Sequence, residues 1–224
     1  MTFGSWGRDA VPVWMPALSP AGKACIAGGD MECDAKIPGE PQSPLLRAAA
    51  ARPVTLVGLM GVGKTTIGRR LAARLDLPFL DADTEIEIAS GMAVAEIFER
   101  FGEAHFRDGE RRVIARLIDG APKVIATGGG AFIDPGTRAL ILERTHAVWL
   151  DADIATLVDR VRRRDTRPLL KDKDPVEVLT GLAAVRNPIY AQAPIHVGSR
   201  RGPHAETVDT IVAALAAANA EPSP

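Results

Sequence analysis

Residues 58 to 66 read GLMGVGKTT and follow the apolar run VTLV at 54–57. Four residues separate Gly58 from Gly63, and Lys64 and Thr65 come directly after. This order is the Walker A pattern, a loop that leaves a strand, wraps a phosphate chain and enters a helix. Glycines admit backbone angles closed to other residues and let amides approach phosphate oxygens. A helix opening near Lys64 adds the positive end of its dipole. Lys64 supplies charge to the β- and γ-phosphates, and the Thr65 hydroxyl can ligate Mg²⁺. Gly61, Val62, Gly63, Lys64, Thr65 and Thr66 are therefore the candidate triphosphate-binding residues. A glycine turn that only tightens strand–helix packing is the structural alternative, and it leaves the lysine and threonine in register unexplained. The pattern is silent about the acceptor.

Two base- and signature-reading segments that would point elsewhere, Asn-Lys-x-Asp and LSGGQ, are absent from the sequence. Arginine is concentrated instead in DRVRRRDTRPLLKDKD at 159–174, where seven basic and four acidic residues give a local excess of three positive charges. The structural alternative is a solvated helix end. The run interrupts a helical pattern and reaches Pro168, as a mobile lid over residues 160–175 would. Closing a cationic lid over ATP excludes water and brings an arginine to the charge developing on the transferring phosphoryl group.

These residues need a scaffold that brings them together. VTLV reads as a buried strand, and Ile67, Leu71 and Leu75 recur every four residues on one helix face. FLDAD at 79–83 reads as a second strand ending in acids, followed by helical stretches at 84–101 and 103–118. KVIATGGG at 123–130 is a third strand running into glycines. Residues 134–144 form a helix with Asp134 as N-cap and Pro135 at its first position. Strands at 146–150 and 195–197 and helices at 153–164, 175–190 and 205–218 complete the series. Such alternation predicts an α/β fold with a parallel sheet covered on both faces. Right-handed crossovers place every strand's C-terminal end on one edge, where ligands bind in open α/β sheets. The glycine loop, the acids of FLDAD and the triple glycine all follow strands and converge there.

The bulk properties set limits. The chain has 224 residues, 46% hydrophobic and 25% charged, the composition of a soluble globular protein. A net charge of −1 gives no global field for nucleic acid or a membrane surface. No run approaches the ~20 apolar residues that span a bilayer. Cys25 and Cys33 could close only a short loop, which points to a reducing compartment, and the cytoplasm is the expected location. Residues 1–52 hold six prolines, six glycines, Trp6 and Trp14 without sustained periodicity, and are expected to be a mostly disordered extension. Two other readings stay open for it: a start assigned upstream of the true one, with Met31 as a later candidate, or a docking or targeting tail. The ordered domain is expected over 53–220.

Six motifs in order, GLMGVGKTTIGRRLA, FLDAD, IFERFGEAHFRDGE, TGGG, TRPLL and RNPIY, resemble those of shikimate kinases over about residues 54 to 218. The resemblance implies a three-layer nucleoside-monophosphate-kinase fold with parallel strand order 2-3-1-4-5 and a mobile lid. It implies ATP-dependent phosphorylation of the shikimate 3-hydroxyl in chorismate and aromatic amino acid biosynthesis, with one Mg²⁺ and with the chain acting as a monomer. On it, Asp83 matches the residue that binds the substrate hydroxyls and takes or orients the proton of the attacking one. Asp81 joins Thr65 at the metal. Arg107 and Arg186 match arginines that bind the ring carboxylate, for which a planar fork is well suited. Gly128, Gly129 and Gly130 present amides to the substrate, and Phe98 and Phe106 line the ring pocket. Arg167 reaches nucleotide and substrate and is, with Asp83 and Lys64, a catalytic candidate. Arg160 matches the residue that stacks on adenine, and Arg201 and Pro203 its opposite side. Glu110 stands one helical turn from Arg107 and is expected to fix it.

Each role has a structural alternative. Asp83 could cap the helix that follows. The arginines could be surface residues, the phenylalanines core, and the glycines a tight strand exit. Two further functions stay open at the level of sequence: a gluconate or other small-molecule kinase of the same fold, and a catalytically silent nucleotide-binding regulator.

Overall fold

The computed structural model describes residues 51–162, 174–199 and 204–220. Residues 1–50 of the expected extension, residues 163–173 of the expected lid with Arg167, and Arg201 and Pro203 lie outside the described residues.

Five strands, β1 (Val54–Val57), β2 (Phe79–Asp81), β3 (Val124–Ala126), β4 (His146–Asp151) and β5 (Ile195–Gly198), form one sheet in the order β2-β3-β1-β4-β5. Every neighbouring pair is parallel. All residues of β1 and β3 are buried, as strands covered on both faces must be. The described helices are α1 (Lys64–Leu75), α2 (Ala82–Ser90), α3 (Val94–Leu117), α4 (Pro135–Arg144), α5 (Ile154–Arg162), α6 (Pro175–Tyr190) and α7 (His204–Ala220). No described helix is long and apolar enough to cross a membrane.

The register lines up the functional loops. Leu56 pairs with Ala126, and Ala126 with Asp81. The loop after β1, the acids after β2 and the glycines after β3 therefore leave the sheet at one level. α1 is held behind the first loop by Ile67, Leu71 and Leu75, all buried at the predicted spacing. Full burial of a leucine such as Leu71 contributes about 1.5–3 kcal/mol, and Leu71→Ala costs about 2–5 kcal/mol once the cavity is counted. α4 starts as its sequence predicts: Pro135 occupies the first turn, and the Asp134 carboxylate accepts from Thr137 N at 2.8 Å.

The helical region after β2 departs from expectation. It contains a stop at Gly91, in the left-handed conformation at φ 67°, so α2 ends at Ser90 rather than running on to 101. α3 is interrupted at Gly102, whose φ of 79° and ψ of 173° are not helical, at the gap read between the helical stretches 84–101 and 103–118. Glu87 joins the two helices, its Oε1 accepting from Val94 N at 3.0 Å. The third strand is also shorter than KVIATGGG suggests. It ends at Ala126, and Gly128 and Gly130 carbonyls accept from Ala131 N at 3.2 Å and Ile133 N at 3.0 Å to form a 3-10 turn over Ala131–Ile133. The glycines thus leave the ladder, and Gly128 and Gly129 line a cleft.

Candidate active site

A cavity of about 410 Å³ opens at the C-terminal edge of the sheet, lined among others by Gly61, Gly63, Lys64, Thr65, Thr66, Asp81, Asp83, Gly128, Gly129 and Arg160. On its nucleotide side, Gly63 caps α1 at φ 103° and ψ 19°, a backbone conformation that L side chains rarely adopt. No side chain caps α1, and no acid sits in its first turn. The first amides of the helix remain for an anion, which a helix N-terminus attracts. Lys64 Nζ donates to the carbonyls of Gly58 at 2.7 Å and Leu59 at 3.0 Å, so its ammonium lies folded along the loop.

Thr65 and Asp81 come from different elements, α1 and the end of β2. The Thr65 hydroxyl donates to Asp81 Oδ2 at 2.7 Å. Two hard oxygens this close, at the mouth of a phosphate loop, fit a Mg²⁺ site of few protein ligands and several waters. Asp81 Oδ1 accepts from Asp83 N at 3.1 Å, so the cap of α2 is Asp81. This corrects the alternative that made Asp83 the cap: the strand stops one acid earlier, and Asp83 already lies in the first helical turn. The Asp83 carboxyl is left for the cavity. It is accessible there yet densely ringed by protein. Burial and then the charge of Asp81 push its pKa up from the ordinary 3.8, against the pull of Lys64.

Arg107 and Glu110 sit one turn apart on α3. Arg107 Nη1 donates to Glu110 Oε2 at 2.7 Å, and Nη2 and Nε donate to Glu103 Oε1 at 3.2 and 3.3 Å. Glu110 is 2% exposed, and burial pushes its carboxyl up despite the nearby guanidinium. Burial likewise disfavours charge on Arg107, but Glu110 and Glu103 outweigh it and raise its pKa. The guanidinium lies against Gly130, where a Cβ would stand 2.5 Å from Nη1 and Nη2. A Cβ on Gly128 would meet Glu110 Oε1 at 2.7 Å and Asp83 Oδ1 at 2.9 Å. Glycine at these two positions lets the Arg107, Glu110 and Asp83 side chains lie where they do, since a Cβ at either would force one of those side-chain ends to shift. Arg186, from α6, donates from Nη1 to Gly129 O at 2.9 Å. Arg107 and Arg186 therefore converge on consecutive residues of the glycine turn.

Phe98 and Phe106 pack on each other with ring centroids 4.4 Å apart, and the Arg107 guanidinium lies 5.2 Å above the Phe106 ring. Phe106 belongs to the core at 4% exposure, and neither ring is among the cavity-lining residues. Phe106 meets the site through Arg107, and Phe98 backs Phe106. Arg160 lines the cavity, with Nη1 donating to Val62 O at 2.9 Å and Ser199 Oγ at 3.0 Å. Sequence reasoning missed Ser199, Tyr190 and His204. His204 opens α7 and lines the cavity; burial, then Arg160 and Arg70, pull its pKa down. The signal for His204 was its place next to Pro203 and that for Tyr190 its place at the end of RNPIY, although neither showed which group it would face.

Comparison with known proteins gives a consistent result. The family model described as shikimate kinase matches residues 60–216. The shikimate kinase of Novosphingobium aromaticivorans is 55% identical over 189 residues, covering 83% of this chain and 98% of that protein. The solved structure of shikimate kinase from Acinetobacter baumannii in complex with shikimate matches with a TM-score of 0.75 and 33% identity, covering 80% of this chain and 100% of the other. A gluconokinase from Sinorhizobium meliloti matches at TM-score 0.54 and 19% identity over 76% of this chain and 95% of the other, a likeness of fold alone.

Proposed function

The chain belongs to the shikimate kinase family and is an ATP-using kinase, and from that premise we propose that it transfers the γ-phosphoryl group of ATP to the 3-hydroxyl of shikimate. The observation that carries the reading is the two-sided cleft. Lys64, Thr65 and an uncapped helix end face Asp83 on one side, and Arg107 and Arg186 meet at the glycine turn on the other. A triphosphate suits the first side and a hydroxylated carboxylate the second.

In this reading Lys64 exchanges the Gly58 and Leu59 carbonyls for the β- and γ-phosphates. Gly61, Val62, Gly63, Thr65 and Thr66 hold the phosphate chain. Arg107 and Arg186 offer guanidinium forks to the ring carboxylate and set the ring's orientation. Asp83 accepts a hydrogen bond from the attacking hydroxyl. In a loose, dissociative transfer little base strength is required, so orienting that oxygen in line is its main contribution. Its carboxylate can also take up the hydroxyl proton once the new P–O bond has formed. Thr65 and Asp81 would hold Mg²⁺, which neutralises charge on the phosphate oxygens. Arg160, Arg201 and Pro203 are assigned to the adenine, Arg167 to the transferring group, and residues 160–175 to a lid that closes over both substrates. Phe98 and Phe106 support the ring pocket from behind Arg107. The working unit is a cytoplasmic monomer whose kinase domain spans 53–220, with 1–52 as an extension.

The test is a coupled ADP-release assay with shikimate, gluconate and AMP offered separately. ADP release is expected with shikimate and not with the other two. Turnover with gluconate or AMP at a kcat/KM equal to that with shikimate would overturn the assignment.

A further inference from the structure

Two carbonyls at the cleft are held in the same way. On the nucleotide side, Val62 O accepts from Arg160 Nη1 at 2.9 Å and from Ser199 Oγ at 2.9 Å. On the other side, Gly129 O accepts from Arg186 Nη1 at 2.9 Å and from the Tyr190 hydroxyl. In each case one arginine and one hydroxyl fill both lone pairs of a carbonyl that directly precedes a glycine amide. Both hydroxyl residues are buried: Ser199 is 1% exposed and Tyr190 0%.

The consequence follows from peptide geometry. None of the described peptide bonds is cis. In a planar trans peptide the C=O of one residue and the N–H of the next point in opposite directions. Fixing Val62 O from behind fixes the Gly63 N–H the other way, and fixing Gly129 O does the same for the Gly130 N–H. Gly63 lines the cavity and Gly130 lies against the Arg107 guanidinium. Neither amide makes a backbone hydrogen bond among the described residues. The two peptides sit on loops whose glycines tolerate rotation, so without a second donor each carbonyl could swing about its single arginine partner.

We propose that Ser199 and Tyr190 are positioning residues that aim the Gly63 and Gly130 amides at the nucleotide phosphates and the acceptor respectively, by holding the preceding carbonyls beside Arg160 and Arg186. The hydroxyl inventories agree with this. Ser199 Oγ spends its one hydrogen on Val62 O and accepts from Arg160 Nη1 at 3.0 Å. Burial pushes the Tyr190 phenol up to about 12, so it stays protonated and donates at neutral pH. The ring itself is fixed between Phe132 and Trp149, with centroids 6.2 and 6.3 Å away. The acceptor half rests on the function proposed above; the nucleotide half requires only the phosphate loop.

Tyr190→Phe and Ser199→Ala remove one hydroxyl each and leave the packing nearly intact. Steady-state kinetics with both substrates varied, together with thermal melts, test the pair. Tyr190→Phe is expected to raise the shikimate KM about five- to tenfold with the ATP KM within about twofold of wild type, the loss of one hydrogen bond on one side. Ser199→Ala is expected to give the reverse pattern. A purely structural role would lower the melting temperature and move both KM values together, and that result overturns the proposal, as do unchanged KM values in both variants. Should the wild type release no ADP with shikimate, the functional reading fails by itself. Calorimetric titration with ADP then decides the inference: about fivefold weaker binding to Ser199→Ala supports it, and equal binding to wild type and variant overturns it.

Discussion

Glu110→Ala isolates what holds Arg107 in place. Arg107 has two acidic partners of unlike environment. The Glu110 side chain is 3% exposed and bonded at 2.7 Å, whereas that of Glu103 is 69% exposed and bonded at 3.2 Å. An exposed i,i+4 pair contributes about 0.3–0.5 kcal/mol, while a charge-assisted bond to a buried partner contributes about 1.5–3 kcal/mol. With Glu110 gone, the guanidinium keeps only the weak partner and regains rotamer freedom. Ordering a long arginine side chain again when the acceptor binds costs up to about 1.5–2 kcal/mol. At 1.4 kcal/mol per tenfold, the shikimate KM should rise about ten- to thirtyfold. The ATP KM should be unaltered, because neither glutamate belongs to the phosphate loop. The assay is coupled ADP release with shikimate varied at saturating ATP, then the converse. Glu103→Ala is the internal control, with an expected change below about threefold. Preorganisation by Glu110 is refuted if the two variants raise the shikimate KM equally, or if Glu110→Ala lowers it by releasing Arg107 from a competing anion.

Three further variants give four more outcomes. Asp83→Asn should lower kcat by about 10²- to 10⁴-fold while leaving ADP affinity, read by calorimetry, near wild type; unaltered turnover would remove Asp83 from the reaction. The same variant carries a pH signature. The folded pKa of Asp83 lies above its ordinary 3.8, so ionisation costs stability as pH rises through the folded value. Asp83→Asn should therefore melt at a higher temperature than wild type at pH 7, with the difference vanishing below about pH 3.8, where both states hold the proton. Gly130→Ala places a Cβ 2.5 Å from two Arg107 nitrogens and should raise the shikimate KM about tenfold or more, without changing the ATP KM; equal KM values would show that the turn yields instead. Deleting residues 1–50 should leave turnover and melting temperature at wild-type values, since β1 begins at Val54 and the family match at residue 60; a large loss of either would show that the extension supports the domain.

Much of the fold was legible because its signals are local. Short apolar runs alternating with helical periodicity marked the strands, four-residue recurrence of Ile67, Leu71 and Leu75 marked α1, and Asp134-Pro135 marked the start of α4. The break at Gly91 was missed because apolar residues continue on both sides of it, and the glycine's left-handed geometry appears only once the chain is folded. The acids of FLDAD illustrate the same limit at the site. Their types were plain, but which one caps α2 depended on where β2 stops, a matter of pairing with β3 rather than of local preference.

The sequence by itself determined the phosphate loop and the strand–helix alternation of the α/β fold, and the resemblance of its motifs nominated the residues proposed to meet the acceptor. The loop and the alternation depend on neighbours within a few positions, where spacing dictates which groups share a face or a turn. Only the tertiary structure decided the long-range partners: Thr65 with Asp81 across 16 residues, Tyr190 with Gly129 across 61, and Ser199 with Val62 across 137. Those contacts exist because parallel strands bring distant loops to one edge of the sheet. A hydroxyl near the end of α6 or just after β5 shows nothing of its partner until that edge has formed.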